Sequence, residues 1–388
     1  MNAILEKLKQ VATKPYESVR AYKQTTGVKV IGSFPMHFPA EIAHAAGALP
    51  VILQELEAPI TSGGGAMYPF FCGYTRSIVD QTTQNELGFL DAIMFADHCV
   101  QLLSAADIMR VVRPETKVHF HQMIASLRQE WSLDNSVKTL RALIEDMEEV
   151  LEVSVTEDAL QNSIHVFNEN RRLIRNLYEM RRTGAINIRA SQMQHIIKSS
   201  MVMNKEEHNA LLRELTESVD RTAVSKFKVP LYISGHLCQA PRPEILDLIE
   251  DCGVNIIDDD LYHGYRYVST DIDEGIGDPV VAIAKAYIRK NEVVPCPTRI
   301  DPNVDWNEWL FKAVGDCGAK GLIVLLAKFC EPHYFHYPRI KATFEAGNVP
   351  HLLIETEHDG VPMENVRTKV ESFAEMIKSQ SLAKSVNS

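Results

Sequence analysis

Residues 28–53 read Val-Lys-Val-Ile-Gly-Ser-Phe-Pro-Met-His-Phe-Pro-Ala-Glu-Ile-Ala-His-Ala-Ala-Gly-Ala-Leu-Pro-Val-Ile-Leu and contain two β-rich runs with a helical segment between them. Pro35 and Pro39 precede the helical segment and Gly47 ends it, as is typical of helix starts and helix ends. Since an apolar run follows directly, the pattern predicts a strand, a crossover helix and a second, parallel strand. The stretch therefore indicates an α/β protein.

The same pattern occurs a second time, in residues 230–257. A strand-like run ends at Gly235, Pro241 and Pro243 open a helical segment, Gly253 ends it, and a second apolar run follows. Two βαβ units so far apart in the chain predict two similar, doubly wound α/β domains with parallel sheets.

Further apolar runs extend each predicted sheet, at residues 89–95 and 117–120 in the first half and at residues 321–326 and 351–354 in the second. Residues 136–220 have a helical pattern without a strand signal. We therefore expect an N-terminal α/β domain, a helical spacer and a C-terminal α/β domain, with the boundaries 1–135, 136–222 and 223–388.

Composition limits the classes of function. The 388 residues are 45% hydrophobic and 23% charged, which is typical of folded domains with a sizeable core. The net charge of −11 disfavours binding to nucleic acid or to anionic lipid. The first 14 residues lack the apolar segment of a signal peptide, and no later run approaches the roughly 20 apolar residues of a membrane span. We therefore expect a cytoplasmic protein.

Seven cysteines, an odd number in a chain of cytosolic character, argue against a disulfide framework. Ligands in doubly wound proteins gather where strands end at their carboxyl edges. Cys99 and Cys330 lie just past equivalent predicted strands in the two halves, and Cys72 immediately precedes a helical pattern, where a helix N-terminus favours a thiolate.

Three such thiolates could hold a [4Fe–4S] cluster in which one iron lacks a cysteine ligand. The alternative is ordinary core packing, because a free cysteine is among the most often buried residue types. Cys238 also follows a strand and is the reserve ligand, and Cys296 between two prolines stays undecided. The remaining cysteines, which precede helix-ending glycines, look like packing residues: Cys252 and Cys317.

Several ordered motifs along nearly the whole chain resemble subunits of the 2-hydroxyacyl-CoA dehydratase and benzoyl-CoA reductase family. The matching stretches are Pro39–Gly47, Cys72-Gly-Tyr, Asp97-His-Cys99, Ser234-Gly235, Asp258–Asp260 with Gly264-Tyr-Arg266-Tyr, and Lys328-Phe-Cys330-Glu-Pro with Pro338 and Glu345. The Asp97-His98-Cys99 and Tyr262–Tyr267 segments look most like the smaller cluster-bearing subunit of the ATP-dependent benzoyl-CoA reductases.

The resemblance implies that Cys72, Cys99 and Cys330 bind one [4Fe–4S] cluster. It also implies a homologous cluster-bearing partner subunit, ATP-hydrolysing iron–sulfur activator subunits, ferredoxin as upstream donor and an acyl-CoA substrate. The chain itself has no Gly-x-x-x-x-Gly-Lys-Ser/Thr phosphate loop, so we do not expect it to hydrolyse ATP. Many relatives carry a cysteine where this chain has Tyr262, so the resemblance does not extend to a fourth cysteine at that position.

The implied reaction is the reduction of an aromatic acyl-CoA ring to a cyclic dienoyl-CoA with low-potential electrons. Two alternatives stay open: dehydration of a 2-hydroxyacyl-CoA, and an electron-relay or assembly role with the substrate bound by the sister chain. His98, beside a proposed ligand, and His263, beside Tyr262, are the candidates for proton transfer.

Three arginines near predicted strand or helix ends are candidates for binding the phosphate or carbonyl oxygens of a CoA thioester: Arg76, Arg242 and Arg266. Solvation at the surface is the alternative for each of them. Asp258, Asp259 and Asp260 resemble a metal-binding cluster, but acidic residues that end a strand more often cap the next turn. We therefore assign these aspartates no metal role.

Overall fold

Two four-stranded sheets, each entirely parallel, form the framework of the protein. The computed structural model describes residues 2–96, 99–218, 228–275 and 277–386. The first sheet has the strand order β2-β1-β3-β4, with the strands β1 Val30–Ser33, β2 Leu49–Ile52, β3 Ala92–Ala96 and β4 Lys117–His121. The second has the order β6-β5-β7-β8, with β5 Val229–Gly235, β6 Val254–Asp259, β7 Leu322–Ala327 and β8 His351–Thr356.

The two sheets have the same topology, since in each the second strand lies outside the first and the third lies on its other side. Ile31 pairs with Ala92 in the first sheet, and Ile233 pairs with Ile323 in the second. The predicted fold of two similar doubly wound domains is confirmed. Because the strand order reverses between β1 and β3, and again between β5 and β7, each sheet has a crevice at that point, where ligands of such folds bind.

Fifteen α-helices lie in the described part of the chain. In the first half these are α1 Asn2–Thr13, α2 Pro15–Thr26, α3 Ala40–Ala45, α4 Gly73–Thr83 and α5 Val100–Val112. The middle of the chain forms α6 Ser132–Leu151, α7 Glu157–Arg182, α8 Ala190–Ser200 and α9 Lys205–Ser218. The second half contains α10 Pro243–Asp251, α11 Tyr265–Val268, α12 Pro279–Val293, α13 Trp306–Asp316, α14 Glu331–Ala346 and α15 Met363–Val386.

The two βαβ units end their helices in the same way. Gly47 after α3 has φ +78° and Gly253 after α10 has φ +79°, a left-handed conformation that glycine adopts without a side-chain clash. Each glycine turns the chain directly into the next strand, β2 or β6. The local pattern of proline and glycine therefore determines both crossovers.

The middle helices pack into a core that is shared with both halves. Ile174 and Leu212 from this segment belong to the same buried cluster as Phe95 of the first sheet and Tyr262 and Val268 of the second half. The Thr156 side chain caps the start of α7, because it accepts a hydrogen bond from the Ala159 N–H at 3.2 Å. The predicted domain boundaries stay predictions. No helix in the described part of the chain combines the length and the apolar character of a membrane span.

Candidate functional site

Three helices begin at cysteines on the wall of one cavity. Cys72 is the residue before α4, Cys99 the residue before α5 and Cys330 the residue before α14. All three line a cavity of about 330 Å³. The structure thus brings together the three cysteines that the sequence singles out, and three helix N-termini with them.

The position of the cavity follows from the two crevices of the sheets. Cys99 lies three residues past the end of β3, and Cys330 lies three residues past the end of β7. Cys238 has the same spacing from the end of β5 and lines the same cavity. The carboxyl ends of both sheets therefore contribute sulfur to one space between the two halves of the chain.

Burial suppresses the ionisation of two of these thiols. It raises the pKa of Cys72, while the Thr75 hydroxyl, 3.0 Å from Sγ, opposes the shift. Burial also raises the pKa of Cys330, and proximity to Cys72 and Cys99 raises it further. Such thiols are expected to stay protonated without a nearby cation, whereas bound positive charge would favour the thiolates.

Cys238 is the fourth sulfur of the cavity. Burial raises its pKa well above the ordinary value, and Cys99, Cys72 and Cys330 add to this effect. Cys238 thus remains the reserve ligand, and its role stays a prediction.

The other three cysteines lie elsewhere. Cys296 lines a separate cavity of about 20 Å³, with its Sγ 3.1 Å from the Thr298 hydroxyl. Cys252 ends α10, and Cys317 ends α13 with its Sγ 3.4 Å from the Val314 carbonyl oxygen. All seven cysteines lie in the described part of the chain and carry thiols rather than disulfides.

The cysteine thiols of the cavity can be compared with two kinds of metal site. Over the described ranges, no group of three or more His, Cys, Asp or Glu side chains stands close enough to hold a single metal ion. A four-iron cluster differs, because each cysteine binds a different iron and the ligands surround the whole cubane. Cysteines on separate loops around the wall of one cavity are compatible with that arrangement.

The sequence suggests two histidines as proton donors, His98 and His263. His98 lies outside the described residues. His263 is buried, and burial, reinforced by Lys198 and His236, lowers its pKa to about 3, so the ring is neutral at pH 7. His263 is not among the described residues that line the cysteine cavity, whereas His336 is. A role in proton transfer for His98 or His263 stays a prediction.

Arg266 does not serve as a surface group for CoA oxygens. Its guanidinium is buried, pairs with Asp260 at 3.2 Å and donates to the carbonyl oxygens of Asp260, Val294 and Pro295. The expectation of a phosphate ligand is wrong at this position, because the protein itself uses the donors.

The other two candidate arginines also contact backbone carbonyls. Arg242 donates to the carbonyl oxygen of His358, and Arg76 donates to that of Phe71 at 3.0 Å. Neither arginine is simply solvated at the surface, because each one holds a neighbouring loop through this hydrogen bond. Neither arginine lines the cysteine cavity formed by the described residues.

The three consecutive aspartates stabilise the structure, as the turn-capping interpretation predicts. Asp258 pairs with Arg182 at 2.7 Å, and Asp260 pairs with Arg266. Asp259 accepts a hydrogen bond from the Tyr265 N–H at 2.8 Å. Burial raises the pKa of Asp259 to about 7.

Sequence reasoning missed a glutamine between the cysteine loops. Gln101 lines the cavity, is buried, and bonds to the backbone of two other loops. One of these contacts spans 228 positions in the chain, so no local pattern indicates it.

Sequence reasoning also missed several apolar side chains in the cavity wall and in the loop before Cys72. The rings of Tyr68, Phe70 and Phe71 stack in the loop that leads to Cys72. Val100 and Phe335 line the cavity, and Phe335 is 81% exposed. We call these five residues the apolar rim.

The twin parallel sheets and the shared cysteine cavity define a two-domain α/β protein with a candidate metal centre between its halves. The chain belongs to the family described as 2-hydroxyglutaryl-CoA dehydratase, D-component, whose model matches residues 35–377. The resemblance drawn from the motifs is thereby confirmed.

Curated relatives match along almost their entire length. The chain is 28% identical over 379 residues to the lactoyl-CoA dehydratase beta subunit of Anaerotignum propionicum, covering 97% of this chain and 99% of that protein. It is 25% identical over 353 residues to a benzoyl-CoA reductase subunit of Thauera aromatica, covering 90% and 91%. It is 24% identical over 386 residues to the (R)-2-hydroxyglutaryl-CoA dehydratase beta subunit of Acidaminococcus fermentans, covering 97% and 100%. The family thus includes subunits of both acyl-CoA dehydratases and an acyl-CoA reductase.

Proposed function

We propose that this chain is the iron–sulfur subunit of an enzyme complex acting on an acyl-CoA, and that it binds one [4Fe–4S] cluster through Cys72, Cys99 and Cys330. One observation carries the proposal. Three cysteines from separate loops, each at the start of a helix, line a single cavity at the carboxyl ends of both sheets.

The surroundings of the three cysteines suit a charged cluster. The N-termini of α4, α5 and α14 carry partial positive charge, which stabilises thiolate ligands. Leu237, Pro297 and Phe329 contribute apolar wall, which limits the access of water to the sulfur atoms. When bound, a [4Fe–4S] cluster supplies one-electron transfer at low potential. Cys238, on the same wall, is the available fourth protein ligand.

For the reaction, we propose the reduction of an aromatic acyl-CoA ring to a cyclic dienoyl-CoA, as in an ATP-dependent benzoyl-CoA reductase. Support comes from the 25% identity to the benzoyl-CoA reductase subunit of Thauera aromatica. Dehydration of a 2-hydroxyacyl-CoA is the second candidate, favoured by the 28% identity to a lactoyl-CoA dehydratase beta subunit. In a third arrangement the sister chain binds the substrate and this chain relays electrons.

For partners, we propose a homologous cluster-bearing subunit that covers the apolar rim. Large apolar side chains that stay exposed around a cavity mark a surface for another protein. The relatives named above are all subunits by name. Since this chain lacks a phosphate loop, we further propose that ATP-hydrolysing iron–sulfur activator subunits, fed by ferredoxin, deliver the electrons.

A product assay separates the candidate reactions. The purified complex, with its activator, ATP and a low-potential donor, is given benzoyl-CoA in one reaction and a 2-hydroxyacyl-CoA in another. A dienoyl-CoA product supports the reductase, and a 2-enoyl-CoA product supports the dehydratase. A complex containing Cys330→Ala serves as the control and is expected to form neither. Full activity of that control would contradict a role of this chain's cluster in either reaction.

A further inference from the structure

One side chain contacts all three cysteine loops. Gln101 lies in the first turn of α5, two residues after Cys99, and its side chain is buried with 7% exposure. A buried amide needs partners for both its oxygen and its NH₂ group, since leaving either one unsatisfied costs free energy.

The partners of Gln101 come from the other two loops. Its Oε1 accepts a hydrogen bond from the Cys72 N–H at 2.8 Å. Its Nε2 donates to the carbonyl oxygen of Phe329, the residue before Cys330, at 2.9 Å. One amide group thus connects the backbone of the Cys72 loop to the backbone of the Cys330 loop, and it does so from the helix that Cys99 begins.

These contacts join the two halves of the chain at the cavity. The Cys72 and Cys99 loops belong to the first half, and the Cys330 loop belongs to the second. Phe329 has φ +63°, a conformation that is unfavourable for an aromatic residue and needs support from its surroundings. The bond from Gln101 to the Phe329 carbonyl oxygen is such a support.

We propose that Gln101 is a positioning residue that sets the distances between the three cysteine loops and thereby retains the cluster. The inference rests on the proposed function for the presence of the cluster, but the hydrogen bonds themselves can be tested without it. Groups that orient metal ligands without binding the metal commonly change metal affinity by about 10- to 100-fold when they are replaced.

The test replaces the amide while keeping its shape. Gln101→Met has similar length and volume but makes neither hydrogen bond. Gln194→Met is the matched control, because Gln194 is also buried in a helix and donates to a backbone carbonyl oxygen, that of Pro241, at 2.7 Å. Gln194 does not line the cysteine cavity formed by the described residues.

Two measurements on the full chain give the answer. Hydrogen–deuterium exchange of the metal-free protein should rise in the peptides containing Cys72 and Cys330 in Gln101→Met and stay unchanged there in Gln194→Met. In the cluster-loaded protein, a chelator should remove iron about 10- to 100-fold faster from Gln101→Met than from wild type, with an altered electron paramagnetic resonance spectrum of the reduced cluster.

The outcomes are distinct. Unchanged exchange in both peptides, or exchange raised throughout the chain, would overturn the inference, because the first means that the bonds do not order the loops and the second means a general stability effect. Equal chelator rates and spectra in wild type and Gln101→Met would overturn it as well. A wild-type chain without iron and sulfide would instead contradict the proposed function, while the exchange comparison would still test the role of Gln101.

Discussion

Replacing Arg266 by methionine is expected to destabilise the protein without affecting its affinity for an acyl-CoA. The Arg266 side chain is 2% exposed, and the side chain of Asp260 with which it pairs is fully buried. Removing one partner of a buried ion pair costs about 3–5 kcal/mol, because it leaves an uncompensated charge. Asp260 would keep the Trp306 indole N–H at 3.0 Å, which favours the lower end, about 3 kcal/mol.

The assay is urea unfolding of the metal-free chain at pH 7, monitored by circular dichroism. A chain of this length need not unfold in two states. We therefore compare the variants by the urea midpoint of the transition that involves the second sheet, and not by an extrapolated free energy of unfolding. Arg266→Met should lower this midpoint. The double variant Asp260→Asn/Arg266→Met should recover part of the loss, since contacting residues are not additive and the second change removes the unpaired charge.

Arg266→Met could instead unfold at the wild-type midpoint, with a raised KM for acyl-CoA in the assembled enzyme. That result would mean that Arg266 binds the substrate and that its buried contacts do not stabilise the fold. An unchanged KM in a destabilised variant would support the structural role.

Three further predictions concern other positions. Cys330→Ala should abolish cluster binding, whereas Cys317→Ala should keep the cluster and cost only on the order of 1 kcal/mol in packing; equal iron contents would contradict the contrast. His208 has its pKa lowered by burial to about 3, so between about pH 6.5 and pH 3 only the unfolded chain takes up that proton. This one residue should cost the wild type up to about 1.4 kcal/mol of stability per pH unit as the pH falls through that range, and His208→Gln should show a shallower loss in denaturant titrations. In Gly73→Ala the new Cβ would lie 2.7 Å from Cβ of His358, so the melting temperature of the metal-free chain should fall, and an unchanged value would show that the contact relaxes freely.

The sequence predicts the fold because the decisive signals are local. Proline before a helix and glycine after it, between two apolar runs, produce the βαβ units at residues 28–53 and 230–257, and the structure has these elements where the pattern indicates them. The positions of Cys99 and Cys330 follow from the same logic, since each comes three residues after an equivalent strand.

The remaining parts of the site depend on contacts between distant residues. Gln101 has no motif of its own, and its bond to Phe329 forms only when the two halves of the chain pack together. Arg266 resembles a ligand for phosphate in the sequence, because its position near a strand end is visible there and its burial against Asp260 and the 294–295 backbone is not. Local patterns thus identify which cysteines reach the crevice but not which neighbours hold them there.

The metal and sulfide content of the full chain, purified under strict anaerobiosis, tests most directly whether Cys72, Cys99 and Cys330 bind a [4Fe–4S] cluster. We predict about four iron and four acid-labile sulfide per chain, as one cubane cluster requires, with the visible absorbance of a [4Fe–4S] cluster. The cluster should be lost when Cys72, Cys99 or Cys330 is changed to alanine. A fully occupied zinc site without sulfide would contradict the account, as would a cluster that survives Cys72→Ala but disappears in Cys238→Ala.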